Sequence, residues 1–176
     1  LSISKSYSNW LPSAHVNYDL NEDTKLRASI TTAVSRPGYN EARASADINP
    51  VNQNVSGGNP YLDPEESWGL DLAYEWYFGE ASIFAVSAFY REVDNVIVAG
   101  STIVDGSVYS PSAQPGEQWT LSGSANGKNG ELTGIELNFI DRLDHYMTGP
   151  LSGFGVELNL AAIDSSFTAP DGNDYS

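Results

Sequence analysis

Residues Trp68 to Phe78 constrain this chain more than any other stretch. Trp68, Leu70, Leu72, Tyr74, Trp76 and Phe78 fall on one side of a period of two; Gly69, Asp71, Ala73, Glu75 and Tyr77 fall on the other. Alternation over this length predicts one long β-strand with an apolar face and a mostly polar one. At about 3.3 Å per residue the stretch spans roughly 33 Å. Tilted by about 40°, it covers roughly 25 Å, the height of the apolar band of an outer-membrane barrel. Aromatic residues end the apolar face at both extremes, as membrane interfaces favour. Just before it, Asn59-Pro60 and Asp63-Pro64 keep the preceding residues out of the α region, so no helix starts there.

The same pattern recurs along the chain. Residues 10–20 place Ala14, Val16, Tyr18 and Leu20 on one face, and residues 24–35 place Leu26, Ala28, Ile30, Thr32 and Val34 there, with a polar Asn21-Glu22-Asp23 turn between. Residues 82–98 read as a long strand of poorer alternation, because Phe89 and Tyr90 are adjacent, with a register shift expected near Arg91. Residues 130–143 and 154–166 complete six strands. Connections alternate between short turns and long stretches at about 36–66 and 99–128, with a third loop expected at 168–176. The 36–66 stretch lacks periodicity, which is unusual inside a compact domain unless it is functional or disordered. The expected fold is all-β: an antiparallel up-and-down transmembrane β-barrel segment, residues 1–176 forming part of a single barrel domain. Tyr18, Trp76, Phe78, Phe84, Phe139, Tyr146 and Phe154 lie near short turns, and Trp10, Trp68 and Tyr90 near the opposite ends, which predicts two aromatic belts.

Charge and composition narrow the function. With 8 Lys and Arg against 23 Asp and Glu, the net charge of −15 argues against nucleic acid as a partner. The absence of cysteine excludes disulfides and thiolate metal sites within the chain. No apolar run is long enough for a transmembrane helix, and the mean hydropathy of −0.31 does not exclude a barrel whose strands expose every second residue to lipid.

Asn59-Pro60-Tyr61-Leu62-Asp63-Pro64-Glu65-Glu66-Ser67, leading into Tyr74-Glu75-Trp76-Tyr77-Phe78, resembles the barrel of TonB-dependent receptors. Further similar segments follow in order: Tyr7 to Ser13, Ser35-Arg36-Pro37, Ala88-Phe89-Tyr90-Arg91 with Val93, Asn95 and Ile97, Gly134 to Leu137, and Leu151 to Val156. Asp63 departs from the family pattern, which carries a basic residue there; the expected effect is on local charge rather than fold. The resemblance implies a barrel of roughly 22 strands filled by a plug, in the outer membrane of a Gram-negative bacterium. It also implies energised uptake of a small-molecule nutrient (siderophore, cobalamin or oligosaccharide). Implied partners are outer-membrane lipid, the rest of the barrel and plug, and TonB acting through a part not seen here. The chain is therefore expected to be a piece of a larger receptor, because six strands alone leave open edges that a bilayer does not tolerate. Asn59, Pro60, Leu62, Pro64, Glu65 and Ser67 are the motif residues, with a structural role.

No enzyme is expected. Asp71, Glu75, Glu136 and Glu157 read as carboxylates on polar strand faces, and His15 and His145 lack metal-ligand spacing; no catalytic residue, metal or cofactor is assigned. Asn54-Val55-Ser56 matches a glycosylation sequon, read as chance. Ligand contacts are expected in the long loops: Arg36, Tyr39, Arg43 and Tyr61 in the first, and Tyr109, Gln114, Trp119 and Asn126 in the second. Arginine suits charge-assisted bonds to an anionic chelate, and Tyr and Trp suit stacking. Two other readings stay open at this point: a soluble β-sandwich carbohydrate-binding module, and a structural outer-membrane protein without transport.

Overall fold

The computed structural model describes residues 4–150, 152–170 and 172–175. Leu1, Leu151, Asp171, Ser176 and the side chain of His145, all within segments considered above, lie outside the described residues. Among the described residues eleven strands form: β1 (Ala14–Asn21), β2 (Thr24–Ser35), β3 (Ala46–Asn49), β4 (Asn54–Gly57), β5 (Glu65–Gly79), β6 (Ser82–Asp94), β7 (Ile97–Asp105), β8 (Gln118–Asn126), β9 (Asn129–Arg142), β10 (Gly155–Thr168) and β11 (Asp174–Tyr175). One helical turn, α1 (Tyr39–Ala42), lies between β2 and β3.

Seven strands make an open antiparallel sheet in the order β1-β2-β5-β6-β9-β10-β11, so the long strands neighbour one another in chain order. Tyr18, Leu26, Tyr74, Val86, Leu137 and Leu160 are successive partners across six strands, forming one apolar row. Val16, Ala28, Leu72, Ala88, Ile135 and Ala162 form the next. On β5 these rows are the more exposed side. Along β5, Leu70, Leu72, Tyr74 and Trp76 are open while Asp71, Ala73 and Glu75 are partly covered. A soluble sandwich would bury that apolar face beneath a second sheet; among the described residues nothing covers it.

The polar side is held by its own bonds. Arg27 grips Glu75 with two (2.7 and 3.2 Å) and reaches Asn17 at 3.1 Å. Asp71 accepts from Ser29 (2.8 Å) and from Arg91 (2.6 Å). Arg91 lies over Gly69, where a Cβ would overlap its side chain, and Phe89 lies over Gly134 in the same way. Phe89 and Tyr90 therefore point to opposite faces, and the β5–β6 ladder runs unbroken from Tyr77–Ile83 to Glu66–Asp94. The register shift expected near Arg91 does not occur, because glycine opposite each bulky side chain gives it room.

The two aromatic clusters form at opposite ends. Trp76, Phe84 and Phe139 are cross-strand partners, with Phe78 stacked on Phe139 (6.0 Å between centroids); Trp68 and Tyr90 meet at 5.3 Å near the long-connection end. Trp68 Nε1 also donates to Glu92 (2.8 Å), giving the indole a polar anchor.

Three expectations about connections change. The strand expected over 82–98 stops at Asp94, and Ile97 onward enters a different sheet. The stretches at 36–66 and 99–128 carry strands β3, β4, β7 and β8, because their Asn, Ser, Val and Thr residues pair with each other instead of with the main sheet. The third connection turns back within a few residues: the Ala169 N–H donates to the Asn173 carbonyl, Thr168 Oγ1 to Asp174, and Phe167 stacks on Tyr175.

Candidate functional site

The long connections fold together at one end of the main sheet. Their strands make a second, four-stranded sheet in the order β3-β4-β8-β7, in which β4 of the first loop runs parallel to β8 of the second. Because β4 and β8 lie more than 60 residues apart in sequence, this union rests on long-range contacts. Thr120 N–H donates to the Gln53 carbonyl (2.9 Å), Gln53 Nε2 to Glu117 (2.9 Å), and Asn59 Nδ2 to the Ser124 carbonyl (3.2 Å).

The second loop arrives with its arms exchanged. In the main sheet β6 lies between β5 and β9, whereas in the loop sheet β8, which leads into β9, lies between β4 and β7. The exchange occurs where the ribbon leaves the main sheet. Asn95 adopts φ 58°, a left-handed conformation that Asn tolerates better than most residues, and Gly127 donates to the Val96 carbonyl (2.7 Å). A Cβ at Gly127 would press on the Thr168 carbonyl.

A small core holds the loop sheet. Trp119 is 1% exposed and Val55 fully buried. The indole lies against Gly106, where any side chain would overlap it, and its Nε1 donates to Glu117 (3.0 Å). The Gln114 N–H, with the Trp119 indole and Gln53 amide, holds the Glu117 carboxyl below its ordinary value. Asp105 is lowered likewise by the Ser107 hydroxyl (2.7 Å) and by the N–H groups of Gly116 and Ser107. These carboxylates replace missing backbone partners in the turn between β7 and β8.

Between the loops lies a shallow cleft of about 520 Å³. Asn40, Arg43, Ser56 and Gly57 line it from the first loop, and Ala99, Gly100, Ser122, Gly123 and Ser124 from the second. Ser56 and Ser122 are direct partners, as are Ala99 and Ser124. Arg43 is paired with Asp47 at 2.9 Å, so the one cation here is already partly compensated. The surface offers hydroxyls, an amide and a guanidinium, with glycines that allow close approach. Gly100 has open space where its Cβ would stand, so packing does not require a glycine there.

Among the residues expected to touch a ligand, the cleft takes in Arg43 alone. Tyr39 and Tyr61 are exposed at 85% and 70%, and Arg36 is exposed on the approach to α1. Gln114 is exposed in the turn, and Tyr109 is half-buried and closes the 3-10 turn at Gly106–Val108. Trp119 is core, and Asn126 is a clamp described below. The cleft's serines and Asn40 escaped notice because they are common loop residues whose meeting depends on the parallel β4–β8 pair.

The motif residues build the junction. Leu62 is 1% exposed; Pro64 is buried; Asn59 Oδ1 accepts the Tyr61 N–H (3.0 Å); Glu65 accepts the Ile97 N–H (2.8 Å). Asp63 bonds to Lys5 (2.6 Å), whose Nζ also donates to the carbonyls of Tyr61 and Leu62.

A second hollow, of about 400 Å³, lies on the polar side of the main sheet beside His15, Asn17, Arg27, Ser29 and Asp71. Arg27, Ser29 and Asp71 are committed to the bonds given above.

The family described as "TonB dependent receptor-like, beta-barrel" matches residues 1–176. Among solved structures, the chain is similar to the siderophore receptor PirA from Pseudomonas aeruginosa, at 19% identity and a TM-score of 0.61, over 92% of this chain and 31% of that one. It is also similar to a mutant of the ferric enterobactin receptor PfeA from Pseudomonas aeruginosa (19%, 0.64, 88% and 22%) and to PirA from Acinetobacter baumannii (17%, 0.54, 94% and 27%). The chain thus spans less than a third of each of these proteins, and at such identities the likeness establishes the fold. No curated protein matches.

Proposed function

This chain belongs to the TonB-dependent receptor family, and from that premise we propose that it forms part of the barrel wall and capture surface of a nutrient receptor. Members of the family are outer-membrane proteins of Gram-negative bacteria and are transporters rather than enzymes. In this reading the apolar rows through Leu72 and Tyr74 face lipid, and the polar face through Arg27 and Asp71 faces the lumen and its plug. The short turns are periplasmic and the loop sheet is extracellular. TonB acts through parts of the receptor outside this chain.

The observation that carries the capture reading is the cleft built jointly by the two long loops. Capture sites favour loops held by a rigid scaffold, and here both loops are tied to the strands below them. Arg43 is the leading ligand contact, with Tyr39 as an exposed ring four residues before it, Tyr61 as an exposed ring further along the same loop, and Arg36 and Tyr109 as outer contacts. Trp119 acts beneath the surface by supporting it. The nutrient is a siderophore, a cobalamin or an oligosaccharide.

The test uses the full-length receptor with uptake of a panel of ferric siderophores, cobalamin and oligosaccharides. One class is expected to depend on the receptor, and Arg43→Ala to weaken its binding roughly tenfold, the usual effect of losing a bond to a charged group. Uptake that survives deletion of both loops would end the capture reading.

A further inference from the structure

Asn126 belongs to the second loop, yet its side chain is bonded to the first. Its Oδ1 accepts the Asp63 N–H (2.8 Å), and its Nδ2 donates to the carbonyls of Asp63 (2.9 Å) and Asn95 (2.8 Å). One amide therefore joins the last residue of β8, the segment that leads the first loop into β5, and the residue that follows β6. The arrangement needs an acceptor and two donors on one short side chain, which an amide supplies and a carboxylate does not.

Its position gives it leverage. The direct β4–β8 pairing is short, running from Asn54–Thr120 to Ser56–Ser122. Asn126 closes the other end of the junction, where both loops leave the main sheet and where the second loop exchanges its arms. The cleft has walls from both loops, so it persists only while they stay together. Asn126 does not line it.

We propose that Asn126 is a positioning residue that makes the two loops open and close as one unit, holding the two walls of the cleft together without lining it. This rests on the capture reading above and adds a coupling between loops that the reading does not require.

The experiment needs no substrate. In the full-length receptor in outer-membrane preparations, Arg43 is the tryptic site of the first loop, because Arg36 is followed by Pro37. Asn126→Ala, a change in the second loop, is expected to speed cleavage after Arg43 about tenfold or more, since opening of the first loop no longer breaks these bonds. Asn126→Asp keeps an acceptor but loses both donors and should also speed it. The chain has no cysteine, so Asn54→Cys with Thr120→Cys can bridge β4 and β8 by a disulfide, as their neighbouring positions permit. Added to Asn126→Ala, the oxidised bridge should return cleavage to the wild-type rate, and reduction should undo this. That rescue also shows that the Asn126→Ala barrel is folded. Unchanged cleavage after Arg43, or faster cleavage after Lys128 alone, would overturn the proposal, as would a bridge that fails to slow the cut. The capture reading fails by a different result, namely uptake that does not depend on the receptor's loops.

Discussion

Leu72 and Trp119 both lie in extended strands of antiparallel pairs, yet Leu72 is 51% exposed and Trp119 1%. The main sheet leaves its apolar side uncovered among the described residues and ties its polar side together with ion pairs, Arg27 to Glu75 and Arg91 to Asp71. The loop sheet does the reverse, enclosing Val55 and Trp119 and presenting Ser56, Ser122 and Ser124 to a cleft. The difference teaches that alternation specifies a face but not what the face meets. A lipid environment rewards the first arrangement and water the second.

Substitutions can break that contrast. Trp119→Ala removes the largest side chain of the loop core and should cost that sheet about 3–5 kcal/mol. Amide exchange in β4, β7 and β8 should rise while the heat-modifiable migration of the folded barrel is kept. Leu72→Lys should next cost the barrel about 2–4 kcal/mol, as for a cation at mid-membrane depth, seen as a lower urea midpoint in lipid vesicles. Ile103→Lys, at an exposed position of the loop sheet, should change stability by only about 0.5 kcal/mol or less. If Leu72→Lys proved as mild as Ile103→Lys, the apolar face would be meeting water and the membrane placement would be wrong.

Acid should produce a smaller, reversible effect confined to the loop sheet. Asp105 and Glu117 are lowered by their hydrogen bonds, so their stabilisation is complete above the ordinary carboxylate range and is lost as pH falls through the lowered values. Trp119 fluorescence should report that loosening, and Asp105→Asn should reduce its dependence on pH.

The six long strands were legible because each carries an alternating face that stays in register over its length. The β5–β6 pairing was legible too, since only Gly79 to Glu80 or so separates the strands. Beyond Asp94 legibility failed. Residues 82–98 contain no proline or obvious break, and only the left-handed Asn95 divides what looks like one strand. The site was less legible still. Arg43 could be singled out as a loop cation, but Trp119 read as a stacking ring when it is the centre of a core. Asn126 read as a ligand contact, whereas both of its amide donors and its carbonyl oxygen already bond backbone groups.

What the sequence by itself determined is the six long strands, their apolar side and their order in the main sheet. Those follow from a period of two and from short turns, both local properties of the chain. Only the tertiary structure decided that the long loops form a sheet of their own, that β4 and β8 run parallel, and that the second loop exchanges its arms. Each of those depends on backbone groups more than 60 residues apart finding partners, and backbone hydrogen bonding carries no residue-type signature to read in advance.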